Sequence, residues 1–576
     1  MPARFYVVYL YKFASNFYTL KKLFFSIFCF LFLYNIQAFA QQTKNIVIEH
    51  TDFTDHNQAE VPGAIVFTGN VRMNHDGVII NCNKAYYFKD ENYVKLFGNV
   101  KMNQGDTIFM DSRYAEYNGN KKFAYATGGV NMRSPDMKLV TDTINFDRNL
   151  QQAFYRSNGT ITSGENTLKS KSGRLFIPEK KYRFLTAVTI TNPKYTIKSN
   201  HLDYYTNSGH TYVFGPSTIT GKTDFIYTEK GFYDTKKNFA HLLTNSYIKH
   251  DTQIIRGDSM YYDRNREFSS AVNNVRVTDT VNKFLARGHY AELYKKKDSL
   301  FLEKHAEAIT LAENDSVFIH AKRLLITGKP GSRIMRGFNN ARFFKTDMNG
   351  RCDSIHSDEV RGLTQLIKRP VVFNGFNQIT GEIIHIISDG KTKKVDSLKV
   401  LNNAFIVQKD TLGKGYNQVK GLNMYGKFRD NKLYQVDLIK NTEKIYYIYD
   451  ENDQLTGIDK GVSSRIRLEL ENNAITTVTA YNKIESNSYP DKDLPENVRK
   501  LRGFEWRGDE RIECKEDIFP PEEQAIHEKI LAKTRKKANT PDTPMELLPA
   551  TLDYDKNNPK PKPVSADAVK PTANKQ

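Results

Sequence analysis

Between residues 45 and 505 the chain alternates apolar and polar positions in short runs, such as Val71-Arg72-Met73, Val78-Ile79-Ile80 and Tyr93-Val94-Lys95-Leu96. Asp76-Gly77, Lys89-Asp90-Glu91-Asn92 and Gly98-Asn99 interrupt them. A period of two marks strands with one face buried, and Gly, Asn and Asp clusters mark turns. No window in this stretch carries a capped apolar stripe at helical spacing, so the pattern predicts strands joined by turns, with few and short helices.

The pattern also repeats. Gly69-Asn70-Val71-Arg72-Met73-Asn74 returns as Gly98-Asn99-Val100-Lys101-Met102-Asn103 and as Gly128-Gly129-Val130-Asn131-Met132-Arg133, at steps of 29 and 30 residues. Thr-Ile-Thr at 160–162, 189–191 and 218–220 keeps the same phase, and Asn273-Asn274-Val275-Arg276-Val277 restores the opening form. A second mark, an apolar and usually aromatic residue before a polar turn, falls at Phe88, Tyr117, Phe146, Ile177, Tyr205, Tyr233 and Tyr262. Two marks in phase over seven units define a repeat array. A unit of this length holds two to four short strands, and stacked units bury a continuous apolar face. The predicted fold is all-β: an elongated β-solenoid or folded-over sheet of about 29-residue repeats.

The regular phase covers 41–330 and weakens at Gly328-Lys329-Pro330-Gly331-Ser332, a boundary or loop. A less regular β section spans 331–515, with Asn339-Asn340-Ala341, Ile383–Ile387 and Asn402–Ile406 as echoes. Residues 516–537 suit a short helix, and 538–576, rich in Pro, Lys, Asn and Thr, reads as a disordered tail.

Alternation assigns the faces. Val71, Met73, Val100, Met102, Val130, Met132, Val275 and Val277 point inward, and Arg72, Lys101, Asn131 and Arg276 outward. Val78, Ile80, Ile108 and Met110 line the adjoining strands. Adaptable Met at equivalent positions suits contact with acyl chains, and the core of a closed solenoid is the alternative for each residue. In the Thr-Ile-Thr units the apolar residue stands at the other parity, which leaves open a register shift or a change of lining.

The N-terminus adds a compartment. Lys21-Lys22, an apolar stretch from Leu23 to Tyr34 and Ala38-Phe39-Ala40 form a secretory signal over 1–40 with cleavage after Ala40, an uncleaved anchor being the alternative. Cleavage removes four of 84 basic residues and none of 65 acidic ones, leaving 80 against 65, or +15. That surplus has no dense block, so it fits an anionic ligand or surface without indicating nucleic acid. Four distant cysteines, Cys29, Cys82, Cys352 and Cys514, form no metal knuckle or disulfide framework.

Catalytic signatures are missing from the sequence, and no enzyme, metal or cofactor is expected. Asp106, Asp111, Asp147, Asp234, Asp258 and Asp263 read as turn residues rather than paired carboxylates of a sugar-cleaving β-helix. His241 and His250 lack ligand-spaced partners, and Arg256-Gly257-Asp258-Ser259 and Arg507-Gly508-Asp509 read as turns.

The Gly-Asn-Val elements at 69–71 and 98–100, Gly128-Gly129-Val130, Ala85-Tyr86-Tyr87-Phe88 and Ala115-Glu116-Tyr117-Asn118 resemble the OstA-like (organic solvent tolerance) family. That family includes the lipopolysaccharide transport protein LptA and the N-terminal domain of LptD. The resemblance is best over 45–280, and Leu501-Arg502-Gly503-Phe504-Glu505-Trp506-Arg507 looks like the closing segment of larger members. It implies a folded-over β-jellyroll, or β-taco, whose apolar groove shields lipopolysaccharide acyl chains in the periplasm during outer-membrane assembly. The groove residues would be Val71, Met73, Val78, Ile80, Val100, Met102, Ile108, Met110, Val130 and Met132. It also implies stacking through edge strands onto other Lpt-type periplasmic or outer-membrane components, or head-to-tail self-association. The chain departs from LptA in being about three times longer, and from LptD in lacking a C-terminal barrel pattern. A secreted structural or adhesin solenoid and, less favoured, a polysaccharide-active β-helix are the alternatives.

Overall fold

The computed structural model describes residues 45–56, 61–311, 315–389 and 394–539. The signal sequence expected at 1–40 and the tail beyond 539 lie outside the described residues. Strands dominate: Ile65–His75, Val78–Phe88, Tyr93–Gln104, Ile108–Asn118, Phe123–Ser134 and Met137–Asp147 form an antiparallel meander in which each pairs with the next. Up to residue 505 the described helical elements are short 3-10 turns. The C-terminal helix α1 spans Pro521–Asn539, where its composition placed it. No helix among the described residues is long and apolar enough to cross a membrane. The predicted all-β fold with a short C-terminal helix is the observed one.

Gly69-Asn70 and Gly98-Asn99 are not the turns that the sequence suggested. Both lie inside strands, where the pairing register jumps from Thr68 to Val71 and from Phe97 to Val100. Gly69 (φ +83°), Asn70 (+43°), Gly98 (+69°) and Asn99 (+46°) are all left-handed, a conformation that Gly and Asn reach at least cost. Two successive left-handed residues kink the strand. Because two residues of one strand face one of its partner, as Gly69-Asn70 face Asn83, the inward parity is kept along the Gly-Asn strand, where Val94 and Leu96 before the corner and Val100 and Met102 after it are all buried, and switches along the partner, where Val78, Ile80 and Cys82 give way to Ala85 and Tyr87. Asn339-Asn340 and Asn402-Asn403 use the same device later in the chain.

Contacts divide the chain into two units. The first comprises Met1–Val272, Arg276–Asn282 and Glu292–Ser299, and the second comprises Asn273–Val275, Lys283–Ala291 and Leu300–Gln576. Gly328–Ser332 is a loop between the paired strands Arg323–Thr327 and Ile334–Lys345, within the second unit.

In the first unit the aligned corners fold the sheet over, so that two sets of hairpin turns face each other as lips. One lip carries the turns at 76–77, 105–107, 135–136, 164–165, 193–194, 221–223 and 251–252; the other carries 89–92, 119–122, 148–151, 177–180, 206–209, 235–238, 264–267 and 295–298. Arg148 donates to the carbonyl oxygens of His75 and Asp76, and Lys122 donates to the Asp76 carboxylate at 2.9 Å. These bonds span 46 to 73 residues and hold lip against lip.

In the second unit the chain past Tyr489 turns back over strands already laid down. Gln418 donates to the Arg499 carbonyl (2.8 Å) and accepts from the Leu501 amide (2.9 Å), and Gln378 treats Glu505 and Arg507 alike at 2.7 Å each. Both amides are buried, so this returning segment is held by satisfied polar contacts. Leu494, Leu501, Phe504 and Trp506 pack on Phe405, Val407, Ile445, Tyr447 and Ile458. Further along, α1 lies on His289, His305 and His320.

Candidate functional site: the enclosed interior of the first unit

Cross-strand pairing gathers the inward residues into unbroken rows. Ile48, Met73, Ile80, Met102, Met110, Met132 and Leu139 are successive partners. The row continues through Ile161, Leu168, Ile190, Ile197, Ile219, Ile226, Ile248 and Ile255 to Val277. The isoleucine of each Thr-Ile-Thr takes the methionine place, so there is neither a register shift nor a change in the lining's apolar character. Gly159 takes the place of Val130, one repeat on. Ile248, which sequence reasoning passed over, was legible: 132, 161, 190, 219, 248 and 277 are spaced by 29 throughout.

All ten expected groove residues, Val71, Met73, Val78, Ile80, Val100, Met102, Ile108, Met110, Val130 and Met132, are buried, none more than 6% exposed. Their neighbours Arg72 and Lys101 are exposed and Asn131 is half-buried.

The other arm of the folded sheet supplies the facing wall. Tyr87, Val94, Tyr117, Ala124, Phe146, Ala153, Leu175, Tyr182 and Tyr204 are successive partners. The row proceeds through Thr211, Tyr233, Ala240 and Tyr262. Except where Tyr182 pairs with Leu175 and Tyr204, large side chains alternate with smaller ones, which lets neighbours interdigitate. The aromatic mark read from the sequence is displaced here: Tyr87, Leu175 and Tyr204 face inward, where Phe88, Ile177 and Tyr205 had been marked, and the true steps from 117 to 262 are all 29. The two walls meet, with His75 Nδ1 2.7 Å from the Tyr117 hydroxyl.

Some polar groups of the interior are partnered, while the hydroxyls of Thr211 and Ser269 are buried without a hydrogen-bond partner. Arg264 bonds Asp224 and the Tyr233 hydroxyl (2.7 Å), and its guanidinium lies 5.2 Å from the Tyr195 ring centre. Burial raises the pKa values of Tyr195, Tyr233 and Tyr262 and keeps these phenols neutral. Burial also pushes the His250 imidazole down. The carboxylates considered for catalysis disperse: Asp147, Asp234 and Asp263 each accept backbone amide bonds in their own turns, and Asp111 pairs with Arg133. Among the described residues no group of three or more His, Cys, Asp or Glu side chains could hold a metal ion. Burial pushes the Cys82 thiol up to about 11 and the Cys352 thiol up to about 12, so neither is a nucleophile near neutral pH.

Residues 43–200 match the model of the family described as OstA-like protein. A solved structure similar to part of the chain is LptH of Pseudomonas aeruginosa, described as the LptA-homologous periplasmic component of the conserved lipopolysaccharide transport device. It is 16% identical, and the match covers 25% of this chain and 99% of that one with a TM-score of 0.20. No curated protein matches the chain. Over its N-terminal part, then, this chain is similar to the OstA-like proteins, as its repeat marks implied.

Proposed function

We propose that the first unit is a lipid carrier: its interior shields the acyl chains of lipopolysaccharide in the periplasm, in the service of outer-membrane assembly. The observation that carries this reading is the unbroken apolar row from Ile48 to Val277. An enclosed tract of that kind matches acyl chains, for which apolar burial is the main driving force. Methionine at three equivalent places adapts to chains of varied shape. The OstA-like match over 43–200 supports the same assignment. Non-enzymatic transport also fits the dispersal of the carboxylates.

The strands Val47–His50 and Phe53–Asp55, with Val47 and Phe53 exposed, offer an edge for strand addition by an Lpt-type component or a second copy. A closed structural solenoid is the competing reading, favoured by the near-complete burial of the lining.

The two are separated by photo-crosslinking in cells from a benzophenone residue placed at Met102 or at Lys101. An adduct containing lipopolysaccharide at 102 and not at 101 is expected. Absence of adduct at both positions in folded, exported protein would leave the closed solenoid.

A further inference from the structure

The lining is shielded from water, so a ligand reaches it only if the lips part, and the lips are held by ion pairs. Asp76 pairs with Lys122 at 2.9 Å, Asp136 with Lys180 at 2.9 Å, Asp224 with Arg264 at 2.5 Å and Asp251 with Lys295 at 2.7 Å. In every clasp the acid stands on one lip and the cation on the other, 40 to 46 residues further along. Three of the four clasps are partly solvated, and the fourth, Asp224 with Arg264, is buried. Solvated pairs of this kind hold weakly and are screened by salt. Between the second and third clasps the seam widens into a cavity of about 450 Å³, whose walls include the cations Lys194 and Lys236, the acids Asp136 and Glu165, and Tyr204, a member of the inward row.

We propose that this seam is a head-group site: the cationic lip binds the phosphates of an amphiphile whose acyl chains occupy the interior, and the lipid is loaded sideways by displacing the aspartates. This rests on the carrier reading above and adds to it the route and the head-group chemistry. A phosphate brings more charge and more acceptor oxygens than a carboxylate, so it competes for Lys122, Lys180 and Lys295 on favourable terms. The cations then have two alternating partners: the opposite lip when the carrier is empty and the phosphate when it is loaded. The acids act as internal competitors, which keeps the apolar interior sealed without cargo.

The test uses the full chain and two triple variants. K122Q/K180Q/K295Q removes the phosphate ligands and D76N/D136N/D251N removes the competitors; Arg264 and Asp224, buried together, stay untouched. Binding is measured for a bis-phosphorylated polyacylated disaccharide, its dephosphorylated counterpart, an uncharged fluorescent acyl probe and inorganic phosphate. The glutamine set is expected to weaken the phosphorylated lipid at least tenfold and spare the dephosphorylated one. The asparagine set should tighten the phosphorylated lipid several-fold. A seam that is only structural moves both sets in the same direction, which overturns the proposal. So does equal binding of the two lipids to the native chain, or tight, lysine-dependent binding of inorganic phosphate alone. If the acyl probe fails to bind as well, the carrier reading falls with it; if the probe binds and phosphate makes no difference, only the seam assignment falls.

Discussion

Acidification should release α1 from the second unit, and the sign and size follow from the groups beneath it. His305 stacks on Phe519 (ring centres 3.6 Å apart) and on His527 (4.1 Å), and His527 lies 2.9 Å from His289 Nε2. His320 is fully buried, with Nδ1 on the Ala306 carbonyl and Nε2 3.7 Å from Glu523. Burial pushes both the His305 and His320 imidazoles down to about 4 from an ordinary 6.5. Arg342 and Arg287, close by, add to the depression of His320 and His527. A base whose pKa is lower when docked than when released binds fewer protons docked. Docking is therefore at full strength above pH 6.5 and is lost as the pH falls towards 4. For His320 alone a shift of that size corresponds to about 3 kcal/mol, and His305, partly solvated, adds less.

Glu523 works in the opposite sense. Burial, then Glu522, raises its pKa, so it takes up a proton on acidification and strengthens docking while the histidines weaken it. Amide hydrogen exchange of residues 522–534 between pH 7 and pH 4, corrected for intrinsic rates, reads the balance. The native helix should lose part of its protection across this window, E523Q should lose about 3 kcal/mol, and H320Q should flatten the response. Protection of E523Q that stays constant or rises towards pH 4 would refute the reasoning.

Two substitutions test how the first unit is built. G98V places a side chain 2.8 Å from Asn83 on a left-handed backbone (φ +69°) and should destabilise the unit by about 1–3 kcal/mol, seen as a lower urea midpoint; N99G, which suits the same corner, should leave it nearly unchanged. R264M strands Asp224 in the interior and should cost about 3–5 kcal/mol by the same measurement, with D224L/R264M recovering most of the loss; equal midpoints for the single and double variants would contradict the burial assigned to this pair.

The repeat and its inward row were readable because strand parity and a fixed step are local properties. Met73, Met102 and Met132 announced the row, and Thr-Ile-Thr carried it on once Ile161 was aligned with Met132 and not with Val130. The corners were misread because Gly-Asn favours left-handed backbone in a hairpin turn and in a two-residue bulge alike, and only pairing across Thr68 and Val71 tells them apart. The clasps were hidden for another reason: which lysine faces Asp76 depends on how far the folded sheet is staggered, and Lys121 and Lys122 read alike in the sequence. Gln418 and Gln378 gave no sign of their role, since an amide that clamps a returning chain has the same spelling as one in solvent. The histidine station joins His305 to His527 across 222 residues, a distance that no spacing rule bridges.

The uniform step gives the first unit a graduated length. Each 29-residue increment adds two strands, about 9.6 Å of sheet at 4.8 Å per strand, and restores both inward rows in phase. Removal or duplication of one whole increment, such as Ile161 through Thr189, would shorten or lengthen the tract by that amount and leave every remaining corner, row and lip in register. A change by an odd number of residues within one strand would instead turn the lining outward beyond the cut. The chain is in this sense a ruler marked in whole repeats, and evolution can match its span to a given distance by counting them.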